Sequence, residues 1–237
     1  MEFCPVDLLI KPSFSQIASP LFTPEPLSPS WSLCRVLTGR LQEQPYKGKT
    51  WETAIFKTAT DDLVQVGRMG IRGDERTGYD ADRALCCHPS AHYAYWNERL
   101  NCAFPLGFFG ENLTLDGLLD EDLCIGDVIR CGTVLMQVTQ PRTPCYKQAR
   151  KVGIPEFVKL IMQSERLGFL MRVLEPGTLT RGDQFALIDR PNPAVTLTFI
   201  NRKRYEPDDF FAAAYLARLP ELSHDWRAAF AKITGNT

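Results

Sequence analysis

Short apolar runs alternate with turn residues through the middle of the chain: LCRVLTG, ETAIFKTA, LVQVGRMGI, DLCIGDVIR, TVLMQVTQP, FLMRVLEPG and QFALIDR. Each has a strand's length, is rich in Val, Ile, Leu or Thr, and is bounded by Gly, Pro or Asp, so the pattern predicts β-structure over residues 33–190. Two stretches carry helical spacing instead. PSAHYAYWNERL sets Tyr93, Trp96 and Leu100 along one face with Pro89 in the first turn, and IPEFVKLIMQSERLG is expected to end at Gly168. Residues 1–32 hold Pro5, Pro12, Pro20, Pro24, Pro26 and Pro29, a density that excludes a helix or central strand and predicts an extension. After Arg190 a Pro-Asn-Pro linker leads into residues 195–237. There the pattern predicts three short helices: one near 195–203, FFAAAYLARL after Pro207-Asp208-Asp209, and HDWRAAFAKI after Ser223.

A chain of 237 residues can bury a sizeable core, and 44% apolar with 23% charged residues is an ordinary globular balance. Lys and Arg number 27 against 28 Asp and Glu, a net charge of −1, so no basic excess exists to collect nucleic acid or an anionic membrane. The opening MEFCPVDLLIKPS lacks the basic region and apolar run of a secretory signal, and no window approaches the ~18 apolar residues of a membrane span. A cytoplasmic protein with reduced thiols is expected. The eight cysteines include no C-x-x-C pair, which removes a zinc ribbon or thioredoxin-type motif.

Among those cysteines Cys145 stands apart. It lies in Gln140-Pro141-Arg142-Thr143-Pro144-Cys145-Tyr146-Lys147, on a proline-stiffened loop after a strand, with Arg142 and Lys147 beside it to favour a thiolate. On the residues alone it is either a packed core thiol or a nucleophile or soft-metal ligand, whereas Cys102, Cys124 and Cys131 sit in apolar runs and are expected to pack. Phe108-Phe109-Gly110-Glu111-Asn112 sets an acid and an amide next to a glycine, either as a turn or as a site for a polar heterocycle. In Gly70-Ile71-Arg72-Gly73-Asp74 and Asp82-Arg83-Ala84-Leu85, Arg83 is either an anion clamp or the partner of Asp82 or Asp74. His88 and His92 have helical spacing, but Pro89 stands where the zinc-peptidase glutamate belongs. His88 is expected at a helix entrance, His92 as a hydrogen-bonded residue, and His224 on the surface.

Taken in order, GIRGDE, DRAL, HYAYW, FGENL, IGDVIR, VTQPRTPCYK and LEPGTL resemble the MOSC domain family, in its branch of 6-N-hydroxylaminopurine resistance proteins. The resemblance covers about residues 33–190, and the tail is similar to the three-helix domain that follows MOSC in that branch. It implies a mainly β fold, a MOSC-type β-barrel with a few helices, and a molybdenum cofactor whose protein ligand is Cys145. Arg142, Lys147 and Arg83 would face its phosphate or pterin, and Glu111 with Asn112 the pterin or substrate. Thr143 and Tyr146 follow as loop neighbours, and Arg172 as a charge pointing into the same pocket. The implied activity is reduction of N-hydroxylated compounds such as hydroxylaminopurine base analogues, a detoxification. Its electrons would come from separate redox proteins. The family's His-Gly-Gly-Pro stretch is replaced by Glu75-Arg76-Thr77-Gly78-Tyr79-Asp80-Ala81, which motivates the alternative of a non-redox cofactor or sulfur carrier. A homodimer through the exposed faces of the helical tail is compatible with the pattern.

Overall fold

The computed structural model describes residues 31–75, 80–205 and 209–235. The expected arm lies outside the described residues up to position 30, as do most of the replaced loop and Pro207-Asp208. In chain order the strands are β1 (Ser32–Thr38), β2 (Gln42–Tyr46), β3 (Lys49–Thr53), β4 (Thr58–Thr60), β5 (Val64–Gly67), β6 (Gly70–Ile71), β7 (Leu85–Pro89), β8 (Leu113–Asp116), β9 (Val128–Cys131), β10 (Val134–Pro141), β11 (Phe169–Glu175), β12 (Gly177–Leu179) and β13 (Phe185–Asp189). The helices are α1 (Ala91–Leu100), α2 (Tyr146–Val152), α3 (Phe157–Ser164), α4 (Leu197–Tyr205), α5 (Phe210–Leu216) and α6 (His224–Ile233).

Eight strands form one sheet in the order β13-β9-β10-β11-β7-β8-β1-β4, antiparallel throughout except for the parallel pair β7–β8. A three-stranded sheet, β12-β5-β6, and the hairpin β2–β3 lie outside it. The predicted run TVLMQVTQP forms β10, where Val134, Met136 and Val138 are fully buried on one face. The main sheet curls until Ser32 bridges Gln184 and the Phe185 amide donates to the Trp31 carbonyl at 2.9 Å. That contact is an isolated bridge, so among the described residues the class is sheet-rich with helices, without a continuous barrel ladder.

Several boundaries differ from expectation for local reasons. Pro89 ends β7, paired with Leu115, because its missing N–H is harmless at a strand terminus; α1 starts two residues later. α3 stops at Ser164 rather than Gly168, with Glu165 in the left-handed conformation at φ 56° as its C-cap. Gly168 has its own constraint, φ 72° and a backbone pressed against Cys87 and His88. The expected loop after Pro144 becomes α2 from Tyr146 onward. The apolar run ETAIFKTA splits between β3 and β4.

The three tail helices are present, with Asp209 accepting from the Ala212 amide and Ser223 from the Trp226 amide as N-caps. Leu197, Ile200, Leu216, Trp226 and Phe230 belong to the same hydrophobic cluster as Leu33, Leu85, Ile129 and Phe169 of the sheet. The Ser223 amide donates to Thr139 of β10 at 3.1 Å, stitching the tail to the sheet. Sheet and tail should therefore unfold together. Trp226→Ala, which empties a side chain only 2% exposed, is expected to cost about 3–5 kcal/mol. Urea unfolding followed by far-UV dichroism and by fluorescence should give coincident curves, both shifted.

Candidate functional site

Leaving the sheet at Pro141, the chain is held by the Arg142 amide, which donates to the Gly168 carbonyl at 2.9 Å. Cys145 then takes an extended conformation as the N-cap of α2, where the Gln148 side chain accepts from its amide at 3.1 Å. The thiol-bearing residue is exposed. α2 is clamped to the β2–β3 hairpin and the segment after it. Lys147 Nζ donates to the Glu52 carbonyl at 3.1 Å, Lys151 Nζ to the Ile55 carbonyl at 3.0 Å, and the Arg150 guanidinium lies 4.2 Å from the Tyr46 ring and 4.5 Å from the Tyr146 ring.

Between these walls opens a cleft of about 230 Å³. Thr53, Ala54, Ile55 and Lys57 line one side, and Arg142, Thr143, Cys145 and Lys147 the other. Arg83, Cys86, Gly110 and Leu170 complete it. Of the residues singled out in the sequence, Cys145, Arg142, Thr143, Lys147 and Arg83 are thus brought together. Arg83 reaches the cleft while pairing with Asp80 at 3.2 Å and Asp225 at 3.3 Å, rather than with Asp82 or Asp74 as its spacing suggested.

Glu111 and Asn112 stand behind the cleft as its frame. Glu111 is fully buried, its Oε1 accepting from Tyr93 Oη at 2.6 Å, Thr114 Oγ1 at 2.8 Å and the Gly107 amide at 2.9 Å. Asn112 donates to Asp74 Oδ2 at 2.9 Å and accepts from the Cys86 amide at 3.2 Å; Asp74 in turn pairs with buried Lys57. The amide therefore orients two cleft residues at once. Gly110 needs φ 83°, and a Cβ there would lie 2.4 Å from Ile55 Cγ1, so its glycine serves close packing of the wall. Arg172 is not a lining residue: it pairs with Asp82 at 2.9 Å and donates to the Glu221 carbonyl at 3.0 Å, fastening the tail to the sheet.

Arg142 dominates the electrostatics. Its Nη2 donates to the Phe109 carbonyl at 2.7 Å, and its Nη1 is buried with no hydrogen-bond partner. Burial alone would lower its pKa, yet the charges of Cys86, Cys145, Glu111 and Tyr93 raise it. Lys151 is pushed down to about 8 by burial, with Glu111 opposing. Lys57 and Cys86 line the cleft without having been legible as site residues in the sequence, and Lys151 stands behind the wall at Ile55. Lys57 had a weak signal as a lone cation inside ETAIFKTA; Cys86 had none until the topology folded β7 against the cleft.

The histidine pair lies apart from this cleft. His88 sits within β7 rather than at a helix entrance, and His92 has Nδ1 buried without a partner and Nε2 3.6 Å from Asp120. No group of three or more metal-ligating side chains occurs among the described residues. His224 is on the surface as expected, whereas Cys102, expected to pack, is exposed just past the end of α1.

With the geometry in place, comparison with known proteins assigns the class. A sequence profile described as the MOSC domain matches residues 74–186. The protein YflK of Bacillus subtilis is 36% identical over 207 residues, covering 85% of this chain and 94% of that protein. The crystal structure of YiiM from Geobacillus stearothermophilus matches with a TM-score of 0.74 and 36% identity, over 86% of this chain and 99% of that one. A Gibberella moniliformis protein named Reductase is 32% identical over 72% of this chain but only 31% of its own length. The chain belongs to the MOSC domain family, and its YiiM and YflK relatives are in keeping with the 6-N-hydroxylaminopurine resistance branch. No helix among the described residues is long and apolar enough to cross a membrane.

Burial fixes the acid response of this region. It holds His88 down at about 3, with Arg142 adding to the effect, and His92 at about 2, so both stay neutral in the fold. As pH falls below the ordinary histidine value near 6.5 the unfolded chain takes up protons that the fold refuses. Each imidazole therefore removes about 2 kcal/mol by pH 5. Asp120, pushed up to about 7 by burial, acts oppositely: below pH 7 the fold gains a proton that the unfolded chain lacks, returning about 2 kcal/mol by pH 5. Denaturant titrations at pH 7 and 5 should show a modest loss for the wild type and a loss about 2 kcal/mol larger for Asp120→Asn.

Proposed function

We propose that this chain holds a molybdenum cofactor in the Cys145 cleft and with it reduces N-hydroxylated compounds such as hydroxylaminopurine base analogues. The observation that carries the reading is one cleft lined by an exposed cysteine and by Arg142, Thr143, Lys147, Arg83 and Lys57. The residues fit such a group. A soft thiolate suits a metal already bound by sulfur, and the buried Nη1 of Arg142 is a donor without an acceptor, which an anionic ligand atom in the cleft would satisfy.

In this reading Cys145 ligates the metal, and Arg142, Lys147 and Arg83 neutralise the cofactor phosphate with Thr143 as a hydroxyl donor. Glu111 and Asn112 act from behind by fixing the walls, and Arg172 by anchoring the tail beside Asp82. When bound, the cofactor supplies two-electron chemistry: an N–OH compound, two electrons and two protons give the amine and water. The electrons are assigned to separate redox proteins, and the fungal Reductase, most of whose length lies beyond the match, supports an activity of this type in the family. The curled sheet with its Ser32–Gln184 bridge supports a barrel-type scaffold. Exposed Phe210, Phe211 and Tyr215 on α5 support a homodimer, within a cytoplasmic protein that has no nucleic-acid or membrane partner.

The test is molybdenum by elemental analysis alongside pterin fluorescence, for wild type and Cys145→Ala expressed in a host that makes the cofactor. Stoichiometric metal and pterin in the wild type, lost from the variant, together with hydroxylaminopurine reduction by a chemical electron donor, are expected. Metal and pterin absent from both proteins would overturn the reading.

A further inference from the structure

A second cavity, which shares no lining residue with the Cys145 cleft, opens at the seam between the sheet and the helical tail. It measures about 210 Å³ and is walled by His92 of α1, by Asp120 and Glu121 of the single-turn helix Asp120–Asp122, by Glu165 and Arg166 just past α3, and by Arg202 of α4. At ~30 Å³ per water it has room for roughly seven waters, or for one small organic ion.

The cations in its wall are already engaged. Arg202 makes a two-pronged ion pair with Glu165, both contacts 2.7 Å long. Arg166 lies 3.9 Å from the Tyr95 ring and donates to the Ser164 carbonyl at 3.0 Å. Asp120 is in the opposite condition. Its side chain is only 9% exposed; Oδ2 accepts from the Leu167 and Gly168 amides at 3.1 and 3.3 Å, while Oδ1 has no hydrogen-bond partner. His92, 4% exposed, has its Nε2 3.6 Å from Asp120 Oδ2 and its Nδ1 buried without a partner. Burial keeps that imidazole neutral, so it brings Asp120 no countercharge, and Glu121 adds a like charge beside it.

The demand left in this cavity is therefore for a positive group that donates hydrogen bonds. An anion would face Asp120 and Glu121 with both arginines occupied. A metal ion is poorly matched, because no group of three or more ligating side chains occurs among the described residues. Guanidinium and primary ammonium heads combine positive charge with several N–H donors, and a charge-assisted bond to a carboxylate is the strong kind. We propose that this cavity is a binding site for a small organic cation, a guanidinium or primary ammonium head that donates to the Asp120 carboxylate beside His92 and Glu121. The site stands on its own residues and does not depend on the cofactor reading.

Methylguanidinium is the probe, titrated calorimetrically into the full-length protein at constant ionic strength and about pH 8, above the titration of Asp120. Saturable binding of one ion per chain, with a Kd in the millimolar range or tighter, is expected. Tetramethylammonium, which has the charge but no N–H, should bind about tenfold or more weakly, and Asp120→Asn should weaken methylguanidinium by about as much. Absence of saturable binding, equal binding of tetramethylammonium, or unchanged affinity in Asp120→Asn would each overturn the proposal. Should Asp120→Asn fail to fold, a crystal structure of the wild type with methylguanidinium decides instead. Probe nitrogens within hydrogen-bond distance of Asp120 support the site, and a probe bound elsewhere overturns it.

Discussion

The guanidinium of Arg142 is the group on which the arrangement turns. Its backbone is fixed to Gly168 and its Nη2 to Phe109, and Phe109 is itself stacked against Tyr93 at 4.8 Å and Phe157 at 5.7 Å. Those rings belong to a second hydrophobic cluster, distinct from the main core, that packs α1, α2 and α3 together. The cation is therefore held by a rigid aromatic platform, and it cannot relax toward solvent to satisfy Nη1. A positive charge pinned at the base of a cleft makes that cleft a site for anions and thiolates. The same platform explains why the residues behind it are polar yet buried. Tyr93 with Glu111 and Asn112 with Asp74 form two buried hydrogen-bonded pairs that support the walls, while Glu111 Oε2 is buried without a hydrogen-bond partner.

Much of the scaffold was legible in the chain. The strand-length apolar runs TVLMQVTQP and FLMRVLEPG, each bounded by turn residues, located β10 and β11, and the Asp209 and Ser223 caps located two of the tail helices, because these signals are local. Elements fixed by distant partners were not. β7 has all five of its residues buried and so shows no alternation, and β2 carries Pro45 in a two-stranded hairpin where only pairing with β3 makes it a strand. Barrel closure is likewise a property of how far the sheet curls, which no window of sequence reports.

The site divides along the same line. Cys145, Arg142, Thr143 and Lys147 lie within six consecutive residues, so their neighbourhood in sequence is also their neighbourhood in space. Arg83 joins them through the fold. Glu111 and Asn112 carried the right polarity but face the frame, and Arg172 had an intelligible charge whose partner, Asp82, belongs to the tail attachment. Lys57 and Cys86 come from separate segments that only the sheet topology brings to the cleft, which is why no spacing rule found them.

In the proposed function Cys145 is the point at which the protein touches the metal. X-ray absorption at the molybdenum edge, on wild type and Cys145→Ser purified from a cofactor-making host, decides whether it does. The wild-type spectrum should contain a sulfur contribution that is lost or replaced by oxygen in the variant. Identical spectra and identical metal content in the two proteins would contradict it.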